Sequence, residues 1–177
     1  MANNDAPRGL RPLRRLGGGN TFHVKVLQKD ASAGVIGIGD PVRMETDGYI
    51  SKWTAGAVIA GVAAKYSATA TADDVPVYVD QDLVYEIQAD SGGTLGRGGV
   101  GAAFKAVLTA ANTTTGISQV ELDASTATPV IAATFPFVLL GLRPIMNPDG
   151  TANAFGASHA KVEVVLNGNL LLGTKAI

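Results

Sequence analysis

The sequence predicts a mainly all-β protein, a small sandwich or barrel preceded by an extended N-terminal arm. Three observations carry that expectation. Short runs of β-branched and aromatic residues recur between turn-forming clusters, the pattern of many strands joined by tight connections. The chain is 46% hydrophobic but only 16% charged and 6% aromatic, so its apolar content is mainly small and aliphatic, suited to thin sheets and buried subunit contacts. The first 21 residues, MANNDAPRGLRPLRRLGGGNT, have neither a helical nor a strand period.

Taken in order, the elements begin after the Gly17-Gly18-Gly19 hinge. Phe22, Val24 and Val26 alternate with His23 and Lys25 and are expected to share one face of the first body strand. Ile38-Gly39-Asp40-Pro41 reads as a turn. Beyond it Val42 and Met44 alternate with Arg43 and Glu45, and Thr46-Asp47-Gly48 supplies the positive φ angles of a hairpin before Tyr49, Ile50 and Trp53. Residues 57–64 read as a buried strand in which Gly61 permits close backbone approach, and residues 67–74 as a polar loop.

Val75–Val79 and Leu83–Gln88, separated by Asp80-Gln81-Asp82, form the clearest expected strand pair, with Pro76 placing the first near an edge. Residues 102–111 fit either a helix or a strand. Residues 117–122, 135–142 and 162–166 are further strands, and Leu170–Leu172 closes the chain.

The expected organisation is an arm over residues 1–21 and a single β-rich body over 22–177. The arm holds Arg8, Arg11, Arg14 and Arg15 against one acid, Asp5, so the rest of the chain is mildly acidic within a net charge of −1. Ordering a residue costs about 1–2 kcal/mol, so an arm without its own period is expected to need a surface outside its own domain, such as the acidic face of another body. In a polyproline-like stretch Arg8, Arg11 and Arg14 would share one side. The expected docking residues are Arg8, Leu10, Arg11, Pro12, Leu13, Arg14, Arg15 and Leu16, and removal of residues 2–16 is expected to leave a folded body.

Several functions find little footing. The near-neutral charge argues against a dedicated nucleic-acid binder. The absence of cysteine excludes disulfides, thiolate metal sites and a cysteine nucleophile. No signal-like apolar segment or membrane-length apolar run is present, so an aqueous location is expected.

Gly96-Arg97-Gly98-Gly99-Val100-Gly101 matches a dinucleotide fingerprint, with Glu121 downstream. Yet the glycines do not join a strand directly to a helix, and the stretch reads as a loop. Asp90-Ser91-Gly92-Gly93 resembles protease contexts but lacks a second carboxylate or a histidine nearby, since the histidines are His23 and His159. Those histidines are too far apart in sequence to suggest a metal site, and Asp73, Asp74, Asp80 and Asp82 read as solvated loop acids. No catalytic residue, cofactor or metal is expected.

The order of features carries a resemblance. Asn3-Asn4-Asp5-Ala6-Pro7, Gly9-Leu10-Arg11-Pro12, Ile38-Gly39-Asp40-Pro41-Val42, Tyr85-Glu86-Ile87-Gln88-Ala89-Asp90, Thr115-Gly116-Ile117-Ser118, Glu121-Leu122-Asp123 and Asn147-Pro148-Asp149 resemble the capsid decoration, or cement, proteins of tailed bacteriophages. That resemblance implies a β-barrel, β-tulip-like or sandwich body, a homotrimer on the outer capsid surface, and an arm spread over the major capsid protein. It also implies a role in stabilising the shell against packaged DNA, assembly in the host cytoplasm, and no direct nucleic-acid or membrane partner. The apolar Leu170–Ile177 tail departs from the family pattern. The alternatives are another phage structural protein (tail-tube, neck or head-completion), a small hydrolase using Ser91 with His23 or His159, and a nucleic-acid-binding module using the arm.

Overall fold

A computed structural model of the chain describes residues 3–70, 72–128, 134–147 and 150–167. The Asp47-Gly48 turn behaves as its chemistry dictates: Gly48 takes φ +89°, and β3 (Pro41–Met44) returns antiparallel as β4 (Ile50–Lys52). With β2 (Val24–Lys29), β5 (Gly61–Ala63) and β6 (Asp73–Tyr78), this hairpin closes a barrel of order β2-β4-β3-β5-β6. Gly61 is required there, because a Cβ at that position would lie 2.3 Å from the Tyr78 carbonyl oxygen. Ile36, Val42, Ile50, Ala60, Ala63, Val75 and Val77 fill the barrel. Lys29 is fully buried beside them, with its ammonium donating to the Ala68 carbonyl. Burial lowers its pKa, partly offset by Asp73 and Asp30.

The second unit is a five-stranded antiparallel sheet. It contains β1 (Arg11–Arg15), β7 (Leu83–Gln88), β8 (Ala103–Phe104), β11 (Phe137–Leu142) and β12 (Lys161–Leu166), in the order β1-β7-β12-β11-β8. A two-stranded ribbon of β9 (Ala106–Val107) and β10 (Glu121–Leu122) lies alongside it. The main core lies between the sheet and the flank of the barrel: Leu83, Tyr85, Ile87, Val162 and Val164 from the sheet pack with Trp53, Ile59 and Val62. The fold is therefore all-β and contains a closed barrel, as the strand spacing predicts.

Two expectations are corrected. Residues 75–79 and 83–88 do form strands, but they do not pair with each other. β6 closes the barrel between β2 and β5, whereas β7 is central in the sheet between β1 and β12. Pro76 is consequently not at a sheet edge. Its oxygen accepts from the Ala64 amide at 2.8 Å, just past the last β5 residue, so the missing N–H falls where the short partner strand has run out. Val24 and Val26 face outward, 47% and 63% exposed, because β2 turns Leu27 and Lys29 inward instead.

Residues 102–111, open between helix and strand in the sequence, contain β8 and β9. Leu170–Leu172 and Pro148-Asp149 lie outside the described residues.

Candidate functional site

Residues 3–16 are built into the body, which corrects the expectation that the arm needs an external surface. Pro7-Arg8-Gly9-Leu10 enters beside the barrel with Gly9 at φ +62°, and a Cβ on Gly9 would meet the Ser118 hydroxyl at 2.4 Å and the Gly39 oxygen at 2.6 Å. Leu10 is 1% exposed and belongs to the main core, so its burial contributes about 1.5–3 kcal/mol. Arg11–Arg15 then pairs antiparallel with β7, Arg11 opposite Glu86 and Arg15 opposite Leu83, with a bulge between Pro12 and Arg14. Arg11 and Arg14 are therefore on a strand and not a polyproline helix, and the bulge falls between them.

Two of the arm's four arginines, Arg14 and Arg15, are paired with the chain's own acids. Arg14 reaches Glu163 at 2.7 Å, and Arg143 approaches Glu163 and Glu86 at 3.4 and 3.2 Å, forming an ion-pair row on the outer face of the sheet. Arg15 bridges Asp80 at 3.0 Å and Asp82 at 3.1 Å. Asp80 also accepts from the His23 amide at 2.7 Å and meets its ring nitrogen at 2.6 Å. Burial alone would raise the Asp80 carboxyl, but the His23 contacts and the Arg15 charge outweigh it and hold the pKa below its ordinary value.

Of the expected docking residues, Leu10 is buried, and Pro12, Leu13 and Arg15 are half-buried. Arg8, Arg11, Arg14 and Leu16 remain exposed. Among the described residues Arg8 and Arg11 make no ion pair or side-chain hydrogen bond, and neither does the nearby Lys161 ammonium. A groove of about 170 Å³ runs between Leu10 and Pro12 on one side and Ile38, Tyr78 and Ile117 on the other, with Arg8 and Arg11 beside it.

The candidate catalytic groups are not brought together. Ser91 is exposed, His23 is held by Asp80, and His159 faces Asp5, Glu121 and Gln88. A cleft of about 700 Å³ opens beside the His23–Asp80 pair, but its lining of Arg15, His23, Val24, Lys25, Val79, Asp80, Gln81 and Asp82 includes no hydroxyl or thiol nucleophile. The glycine-rich stretch holds a 3-10 turn over Arg97–Gly99 and leads into β8, so no helix N-terminus is present to receive a pyrophosphate. Asp73 pairs with Lys65 at 2.8 Å, while Asp80 and Asp82 are taken by Arg15, so these acids do not converge on a shared ion.

A cluster missed in the sequence joins Asp5, Glu121 and His159, whose potential ligand atoms lie within 4.8 Å of one another. The Gln88 amide sits among them, donating to Asp5 and Glu121 at 2.9 Å each while accepting from the Ala6 amide at 3.1 Å. The cluster thus fastens the arm to β7 and β10. Positions 5, 88, 121 and 159 share no local spacing, so no sequence signal could have assembled them.

Comparisons with protein-family models, with curated proteins and with solved structures find no match to this chain. Among the described residues no helix is long and apolar enough to cross a membrane.

Proposed function

We propose that this chain is a structural virion subunit, a capsid decoration protein. It binds the outer surface of a tailed-phage head, bridges major capsid subunits and stabilises the shell against the pressure of packaged DNA. The observation that carries the reading is an outer surface the fold leaves unfinished. Val24 and Val26 point outward on the barrel, Leu16 is 52% exposed, and Arg8 and Arg11 stand without ion-pair partners among the described residues. Apolar and cationic groups left in this state suit contact with other subunits.

The order of sequence features shared with decoration proteins adds to this reading. In it the protein acts by binding and not by turnover, as a homotrimer on the virion. The exposed Arg8, Arg11, Arg14 and Leu16 meet the capsid from a backbone already fixed to the body, and fixed backbone loses less entropy on docking than a free arm would. The major capsid protein is the partner, with no direct nucleic-acid or membrane contact, and multivalent attachment multiplies the affinity of each subunit.

The experiment is sedimentation of the purified protein alone and with undecorated phage heads. A trimer that co-sediments with heads and raises their heat resistance is the expected result. A monomer that ignores heads overturns the reading, and a six-fold ring that ignores them replaces it with a tail-tube or neck role.

A further inference from the structure

The groove beside the N-terminal segment combines features that no contact among the described residues uses. Ile38 is 44% exposed although it stands in an otherwise apolar depression with Leu10, Tyr78 and Ile117. Arg8 and Arg11 line the groove and also a smaller adjoining depression that contains Lys161. Glu86, which lines that smaller depression opposite Arg11 in register, is held by Arg143, and Asp5 is held by Gln88. The mouth of the groove is therefore cationic and its interior apolar.

The backbone that carries the two arginines is also held in place. Between them, Leu10 is buried and its amide donates to the Gly39 carbonyl at 2.9 Å, while Gly9 and Gly39 admit backbone contacts that a Cβ would block. A volume of about 170 Å³ is smaller than the roughly 300 Å³ at which small-molecule pockets begin. It suits one aliphatic side chain with adjacent backbone.

We propose that this groove takes a short segment of a partner protein in which a carboxylate side chain stands beside an aliphatic one. The aliphatic group enters between Ile38, Tyr78 and Ile117, and Arg8 and Arg11 bind the carboxylate. Guanidinium–carboxylate hydrogen bonds are charge-assisted and directional, and they strengthen beside an apolar wall that excludes water. A phosphate backbone would satisfy the arginines but leave the apolar interior unfilled. The inference deepens the decoration reading by naming the chemistry of the partner's surface at this site.

The test is an NMR titration of the full chain, with isoleucine methyls and arginine side chains labelled. The probes are the capped peptide Ala-Asp-Leu-Glu-Ala and its uncharged counterpart Ala-Asn-Leu-Gln-Ala. The acidic peptide is expected to shift the Ile38 and Ile117 methyls and the arginine Nε–H signals, with the amide peptide binding about tenfold more weakly. The Arg8→Gln/Arg11→Gln variant is expected to lose binding to a similar extent with its core methyl spectrum unchanged. Raising salt from about 0.05 to about 0.3 M should weaken the acidic peptide.

Equal binding of both peptides, undiminished binding by the double variant, or no methyl shift at saturating peptide overturns the proposal. So does tighter binding of an oligothymidylate without a shift at Ile38. The titration needs no phage heads, so a protein that ignores heads leaves it standing, and a failed titration leaves the decoration reading to its own experiment.

Discussion

The Leu10 amide donates to the Gly39 carbonyl at 2.9 Å, and the two residues lock the N-terminal segment to the barrel. Gly39 holds φ +91°, and a Cβ there would lie 2.7 Å from the Arg8 oxygen and 3.2 Å from the Leu10 nitrogen. A turn glycine of the barrel and a core leucine of the arm are thus parts of one packing unit. The arm contributes to stability before it contributes to any partner.

Truncation should therefore unfold the protein and not merely free its body. Removal of residues 2–16 deletes β1, Leu10 and the Arg14 and Arg15 ion pairs, and the expected outcome is loss of the cooperative thermal transition. The milder Leu10→Ala should cost about 2–5 kcal/mol in urea denaturation. A truncated protein that melts like the full chain would refute the integration of the arm.

Asp80 makes acid sensitivity a property of the same junction. Its folded pKa is depressed, so its stabilising contribution is complete above the ordinary carboxylate value of about 3.9 and is lost as pH falls through the folded value. Asp80→Asn should cost about 1–3 kcal/mol at pH 7. The gap between variant and wild type should shrink below about pH 4 in denaturation curves taken across pH.

Glu121 has the opposite sign. Burial raises its pKa, opposed by the Gln88 hydrogen bond and reinforced by the Asp5 charge. The folded state therefore binds more protons than the unfolded state just above about pH 4.3, and stability declines as pH rises through that window. Glu121→Gln keeps an oxygen for the Gln88 amide and removes the charge. The variant should be at least as stable as wild type at pH 7, with any advantage vanishing below about pH 4.3; a large loss at pH 7 would show that the carboxylate charge itself holds the arm.

Tyr85 is fully buried in the main core, and its hydroxyl has no hydrogen-bond partner among the described residues. Burial pushes its pKa far above the usual tyrosine value. Tyr85→Phe removes an unsatisfied polar atom with little change in shape, so it should stabilise the protein by about 1 kcal/mol and raise Tm by about 2–4 °C. Calorimetry showing a lower Tm would mean that the hydroxyl is satisfied in solution.

Much of the local structure was legible. The Asp47-Gly48 hairpin, the close approach at Gly61 and the strands around 83–88, 137–142 and 162–166 follow from turn chemistry and β-branched runs, which act over a few residues. The arm was misread for the same reason. Arg11-Pro12-Leu13-Arg14-Arg15 has no alternation of its own, yet it is a strand because β7 offers a ladder and Glu163, Asp80 and Asp82 offer charges, all more than 60 residues away.

The sequence by itself determined an all-β chain, the positions of most strands and the uneven placement of its arginines, since these depend on backbone propensity and composition. Only the tertiary structure decided that β6 and β7 part at Asp80-Gln81-Asp82, one to the barrel and one to the sheet, and that Val24 and Val26 face outward. It also decided which arginines are consumed and that Arg8 and Arg11 are left beside a groove. Strand pairing and charge partnering are long-range choices, and their free energy lies in contacts between segments whose separation in sequence carries no trace of them.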